Sequence, residues 1–140
     1  MLKFDVSKYD KGKPKVDVSM ITDYDQRYLE NISKIFYKDL PGWNAKDTWE
    51  LNNILARGGR IAAYWERMRL SGAAVWQPLG DDWQLTHIAL KHKIQRAGHG
   101  RAFVDYVLFK IQEEAPESAL FVDADVGSVG FFTKCGFAKD

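Results

Sequence analysis

Three runs of strand composition, residues 60–66, 71–76 and 83–90, follow one another almost without interruption. The breaks between them are Arg67, Met68 and Arg69, and then Pro78 to Asp82. A parallel crossover takes about a dozen residues or more, so connections this short favour hairpins. The middle of the chain is therefore predicted to be an antiparallel meander. The rest must cover its faces or extend its edges.

Upstream, Leu2, Phe4 and Val6 alternate with polar residues, as do Val16, Val18 and Met20, around the turn-rich stretch 10–14. This period-2 pattern predicts two strands, with a hairpin as one way of joining them. Thr22, Asp23 and Asp25 offer helix N-caps ahead of Leu29, Ile32, Phe36 and Leu40 at helical spacing, and Pro41-Gly42 closes that helix. A second helix is predicted over 45–57, carrying Trp49, Leu51, Ile54 and Leu55 and ending at Gly58-Gly59. A third, over 100–114, gathers Val104, Val107, Leu108 and Ile111 into one stripe, and Pro116 ends it. A buried strand at 120–124 and a short helix at 128–135 complete the order. That order reads as an α+β fold: a central mixed, mostly antiparallel sheet flanked by about four helices, with room for an extra N-terminal strand.

A length of 140 residues suits a single domain over 1–140. Twenty Lys and Arg against nineteen Asp and Glu leave a net charge of +1, so there is no global field for nucleic acid or an anionic membrane. No apolar run is long enough for a signal peptide or a membrane span, and Cys135 is the only cysteine. A cytoplasmic location is expected. His87, His92 and His99 lack metal-site spacing, so no metal is expected.

The chemistry concentrates between Leu90 and Arg101. Gly98 and Gly100 let the backbone turn tightly and approach a ligand, and a helix begins immediately after them. The first N–H groups of a helix have no intrahelical acceptor, and its dipole favours negative charge there. Lys91, Lys93, Arg96 and Arg101 add positive charge, which suits a phosphate or pyrophosphate. A dinucleotide fingerprint would need Gly or Ala where Phe103 stands, and no P-loop Gly-Lys-Ser/Thr is present.

Gln95-Arg-Ala-Gly98-His-Gly100 resembles the Arg/Gln-x-x-Gly-x-Gly/Ala motif of the GNAT N-acetyltransferases. Phe131-Phe-Thr-Lys-Cys-Gly136-Phe137 is similar to that family's Phe-Tyr-x-Lys-x-Gly-Phe. Weaker likeness covers 16–36, so the resemblance spans most of the chain. It implies a GNAT-like fold and acetyl-CoA as acyl donor. It also implies direct attack by a primary amine, borne on a small molecule, peptide or protein. Backbone N–H groups of Arg96, Gly98, Gly100 and Arg101 would hold the pyrophosphate, with Gln95 and His99 in the same loop. Ile88 and Leu90 would pair with the pantetheine arm, and Asp125 stands where the family often has Asn near it. Backbone N–H groups near Leu90 would polarise the tetrahedral intermediate. No membrane or nucleic-acid partner is implied, and a homodimer is left open.

Three positions depart from the pattern. Phe132 stands where many members place the tyrosine that protonates the departing thiolate. Gln84 stands where some have a catalytic glutamate, and the chain stops soon after Phe137. A non-catalytic module that binds coenzyme A or a protein partner is therefore the alternative function. The residues themselves offer Asp82, Asp81, Glu66, His87 and Thr86 as candidates for catalysis, and the resemblance adds Gln84. On a regular strand His87 would point away from Gln84, Thr86 and Ile88, which reads as a packed sheet histidine.

Overall fold

The computed structural model describes residues 1–43, 48–91 and 98–140. Strands β1 (Leu2–Asp5) and β2 (Asp17–Ile21) are followed by helices α1 (Gln26–Asp39) and α2 (Trp49–Ala56). Strands β3 (Arg60–Glu66), β4 (Arg69–Leu79) and β5 (Asp82–Leu90) form the meander. Helix α3 (His99–Glu114), β6 (Ala119–Val122), α4 (Val129–Lys134) and β7 (Ala138–Lys139) complete the chain. All seven strands join one sheet in the order β2-β3-β4-β5-β6-β1-β7, antiparallel except where β6 runs parallel to β5.

The meander is closed by tight turns. Arg67 and Met68 both take positive φ, 51° and 65°, the backbone of a hairpin turn whose twist matches its strands. Strand β4 continues through Pro78, beyond the break expected there. The last β3 partner on β4 is Trp76, so Pro78 sits where β4 has become an edge and its missing N–H costs no ladder bond.

The two N-terminal strands do not pair with each other. Strand β2 pairs with β3, while β1 crosses the molecule and inserts between β6 and β7. Period-2 alternation selects a strand and the face it buries, but leaves the partner open. Here the strand that opens the chain completes the sheet beside the short β7, and Phe4 packs on Phe137 with ring centroids 5.5 Å apart.

Alternation along the sheet separates two apolar layers. Ile61, Ala63, Ala73, Val75 and Ala89 face α1 and α2, against Leu29, Ile32, Phe36, Leu51 and Ile54. Ala62, Tyr64, Ala74, Trp76 and Leu120 face α3 and α4, against Phe103, Val104, Val107, Leu108, Ile111 and Phe132. Among the described residues no helix is long and apolar enough to cross a membrane.

Candidate functional site

Strands β5 and β6 begin side by side and then part. Their parallel pairing covers Trp83↔Leu120 to Leu85↔Val122 and stops there. At the same level β5 carries a bulge: Trp76 pairs with Leu85 and Val75 with His87, so Thr86 is the extra residue. Leu85 belongs to the α3 layer and so do Ile88 and Leu90, although they differ in parity. Thr86 and His87 become neighbours instead of opposites, which corrects the regular alternation expected for this strand.

Beyond the bulge, β5 forms one wall of a cleft, and the segment from Asp123 through α4 forms the other. The cleft consists of two cavities of about 620 and 750 Å³ that share Asp39, Leu40, Ile88 and Ser128. Lys91 donates its N–H to the Ser71 carbonyl at 2.7 Å, toward β4. Counting back by twos, Ile88 and Leu90 turn their backbone polar groups the other way, toward the cleft.

The larger cavity ends at the start of α3. Gly98 is the N-cap residue, at φ 83°, and the site of a would-be Cβ there has no atom within 4 Å. Within the helix Ala102 reaches back to the Gly98 carbonyl at 3.1 Å, so the N–H groups of His99, Gly100 and Arg101 precede the first intrahelical bond. A Cβ on Gly100 would lie 3.1 Å from the Phe131 ring, so glycine lets α3 start close to α4 without moving that ring. Arg101 and Lys134 line the cavity together with Leu40, Ile88, Leu90 and Phe131. Cationic groups at one end and apolar side chains along the walls suit a long ligand with a phosphorylated end. His99 is not among the residues lining the cavity, and its Nδ1 lies 2.7 Å from the Tyr64 hydroxyl. Gln95 and Arg96 lie outside the described residues.

The smaller cavity has the opposite character. Asp39, Asp123 and Asp125 line it, and no Lys or Arg does among the described residues. Asp125 also accepts from the Ser128 N–H at 3.0 Å and from its hydroxyl at 2.8 Å, fixing the turn into α4. Thr86, His87, Trp43 and the buried Phe132 complete the walls. His87 stacks on Phe36 at 5.5 Å and meets Trp43 edge-on at 5.3 Å. Burial pushes its imidazole below the ordinary 6.5, against a smaller opposing pull from Glu50.

The other sequence candidates sit elsewhere. Asp82 accepts the Ala119 N–H at 2.9 Å, tying the start of β5 to β6. Glu66 opposes Arg69 at the tip of a hairpin, and Gln84 stands in the closed part of the β5–β6 pairing. None of the three lines either cavity. Asp81 lies in the exposed turn before β5. Cys135 does line the larger cavity, but burial and then Asp105 push its thiol up to about 11, so it is no nucleophile at neutral pH. Among the described residues no tyrosine lines either cavity. Among the described residues no group of three or more His, Cys, Asp or Glu is placed to hold a metal ion.

Sequence reasoning did not find Asp39, Trp43 and Ser128 as cleft residues, and it set His87 aside. Asp39 and Trp43 flank the Pro41-Gly42 turn that brings the end of α1 over β5, a tertiary fact with no local signal.

Residues 45–140 match the sequence profile of the acetyltransferase (GNAT) domain. No curated protein matches the chain in sequence. Among solved structures, an aminoglycoside acetyltransferase from an uncultured soil metagenomic sample is 15% identical, with a TM-score of 0.71 over 90% of this chain and 93% of that one. The ribosomal-protein-alanine N-acetyltransferase of Brucella melitensis biovar Abortus 2308 is 21% identical, with a TM-score of 0.66 over 84% and 87%. A Bacillus subtilis acetyltransferase in complex with CoA is 16% identical, with a TM-score of 0.67 over 89% and 77%.

Proposed function

The chain belongs to the GNAT acetyltransferase family, and from that premise we propose that it transfers acetyl from acetyl-CoA to a primary amine by direct attack. The observation that carries this reading is the polarity of one continuous cleft. Arg101, Lys134 and the start of α3 mark a phosphate end, Asp123 and Asp125 mark an end for a cation, and Asp39 lines both cavities. Between them the Ile88 backbone turns toward the cleft, at the level where the two substrates would meet.

On this reading Gly98, Gly100 and Arg101, with Gln95, Arg96 and His99 of the same loop, hold the pyrophosphate. Gly98 matters because its open Cβ site lets the phosphates approach the backbone. Ile88 and Leu90 align the pantetheine arm as an added strand, and their N–H groups face the developing oxyanion. Asp125 stands near the same arm. Phe132 supplies an apolar wall. The donor carries the activated acetyl group, and the chain's work is to orient it and to exclude water. Direct attack agrees with the protonated state of Cys135, which leaves no thiolate to form an acyl-enzyme.

The acidic end favours an acceptor that arrives as an ammonium ion. The test is mass spectrometry of products after incubation with acetyl-CoA and four amines: sisomicin, spermidine, a peptide with N-terminal alanine and a lysine-containing peptide. One of them is expected to gain an acetyl group. Tight binding of acetyl-CoA with no product from any amine would favour a non-catalytic coenzyme A-binding module, the reading that Phe132 keeps open.

A further inference from the structure

The proposed reaction needs a group that strips a proton from the acceptor, because an ammonium ion has no lone pair for attack. We infer that His87 is this base, that its Nε2 is the atom that takes the proton, and that Thr86 positions the ring. The inference rests on the acetyl-transfer reading above and adds the residue that reading leaves unassigned.

The hydrogen bonds around Thr86 favour one tautomer. Its Oγ1 accepts from Gln77 Nε2 at 2.9 Å, lies 2.8 Å from His87 Nδ1 and lies 3.3 Å from the Val75 carbonyl. A hydroxyl has one proton. If Thr86 gives it to His87 Nδ1, the contact with Val75 is lost. If His87 Nδ1–H donates instead, Thr86 accepts twice and donates once to Val75, and all three contacts become hydrogen bonds. That arrangement places the imidazole proton on Nδ1 and leaves Nε2 with its lone pair. No described residue bonds to Nε2, while the ring lines the acidic cavity.

The bulge is what creates this geometry. It sets Thr86 beside His87 and presents the ring between Phe36 and Trp43, whose packing holds its plane. The charged groups facing it are Glu50 from α2, Asp39 from α1, and Asp123 and Asp125 after β6. Of these, the Glu50 carboxylate favours the imidazolium, and the larger effect of burial favours the neutral ring.

The step balances as follows. His87 Nε2 takes one proton from the ammonium. The freed lone pair forms the C–N bond, the C–S bond of the thioester breaks, and the second amine proton goes to the departing thiolate. His87 then releases its proton to solvent.

His87→Gln, Thr86→Val and Thr86→Ser test this with the amines named above. His87→Gln is expected to keep the acetyl-CoA melting shift and to lose about 100-fold or more in turnover. The loss should be far smaller with hydroxylamine, which already has a free lone pair at neutral pH. Turnover of the native chain should level off above the imidazole pKa. In His87→Gln it should keep rising toward the pKa of the amine. Thr86→Val should lower turnover, and Thr86→Ser should restore it. Ring 15N shifts should show the Nδ1–H tautomer and a midpoint below 6.5, whatever the acceptor. Unchanged turnover in a folded His87→Gln, or an Nε2–H ring in the native chain, would overturn the assignment. Failure of the native chain to bind acetyl-CoA would instead overturn the acetyl-transfer reading.

Discussion

At the scale of single residues, the cleft depends on one extra residue in a strand. Thr86 shifts β5 by one position, so Leu85 and Ile88 share a layer and His87 turns to the cavity under α1. Burial of a neutral imidazole has a consequence for stability. The folded chain binds this proton less readily than the unfolded chain, so stability is unaffected well above pH 6.5 and falls as pH drops through 6.5 toward the lowered value. Urea midpoints measured from about pH 7 down to 5 should therefore decline, and the decline should be shallower in His87→Gln. Phe132 makes a second residue-scale point. Its ring is buried against Phe131 and Phe137 but lines the smaller cavity, so a hydroxyl added at its edge has somewhere to point. Phe132→Tyr should hold kcat at or above the native value, because it adds a phenol as a proton donor beside the cavity. A fall in kcat with the fold intact would show that the thiolate does not depart through this side.

At the scale of elements, the sheet is completed by its most distant strand. Strand β1 fits between β6 and β7, and Gly136, at φ 100°, gives the chain its turn into β7. A Cβ there would lie 2.9 Å from the Phe4 ring. Gly136→Ala should combine backbone strain with a clash and cost about 1–3 kcal/mol, read as a lowered urea midpoint with an unchanged slope. These same elements show what could be read from the sequence. Helices α1 and α3 and the three meander strands were legible because their periodicity is local and the turns between strands are short. Residues 60–66 were predicted to the residue. The partners of β1 and β2 were not legible, since alternation says which face is buried and nothing about which edge is joined. The bulge at Thr86 was hidden for a related reason: alternation reads every strand as regular. The start of α3 was legible because Gly98, Gly100 and the cations around them sit in one continuous stretch. The acidic end was not, because Asp39 and Asp123 come together only in the folded chain.

At the scale of the whole molecule, the fold frames a cleft with two opposite ends. A ligand that binds only the folded chain stabilises it, by about 2.7 kcal/mol at 100 times its dissociation constant. For a chain of this length that raises Tm by on the order of 10 °C. Gly98→Asp puts a carboxylate and a Cβ where the phosphates approach, in a residue whose φ of 83° already favours glycine. Melting curves of the native chain and Gly98→Asp, each with and without saturating acetyl-CoA, test the central claim most directly. The account predicts a rise of about 10 °C in the native chain and none in the folded variant. An unmoved native curve, or an equal rise in both proteins, would contradict it.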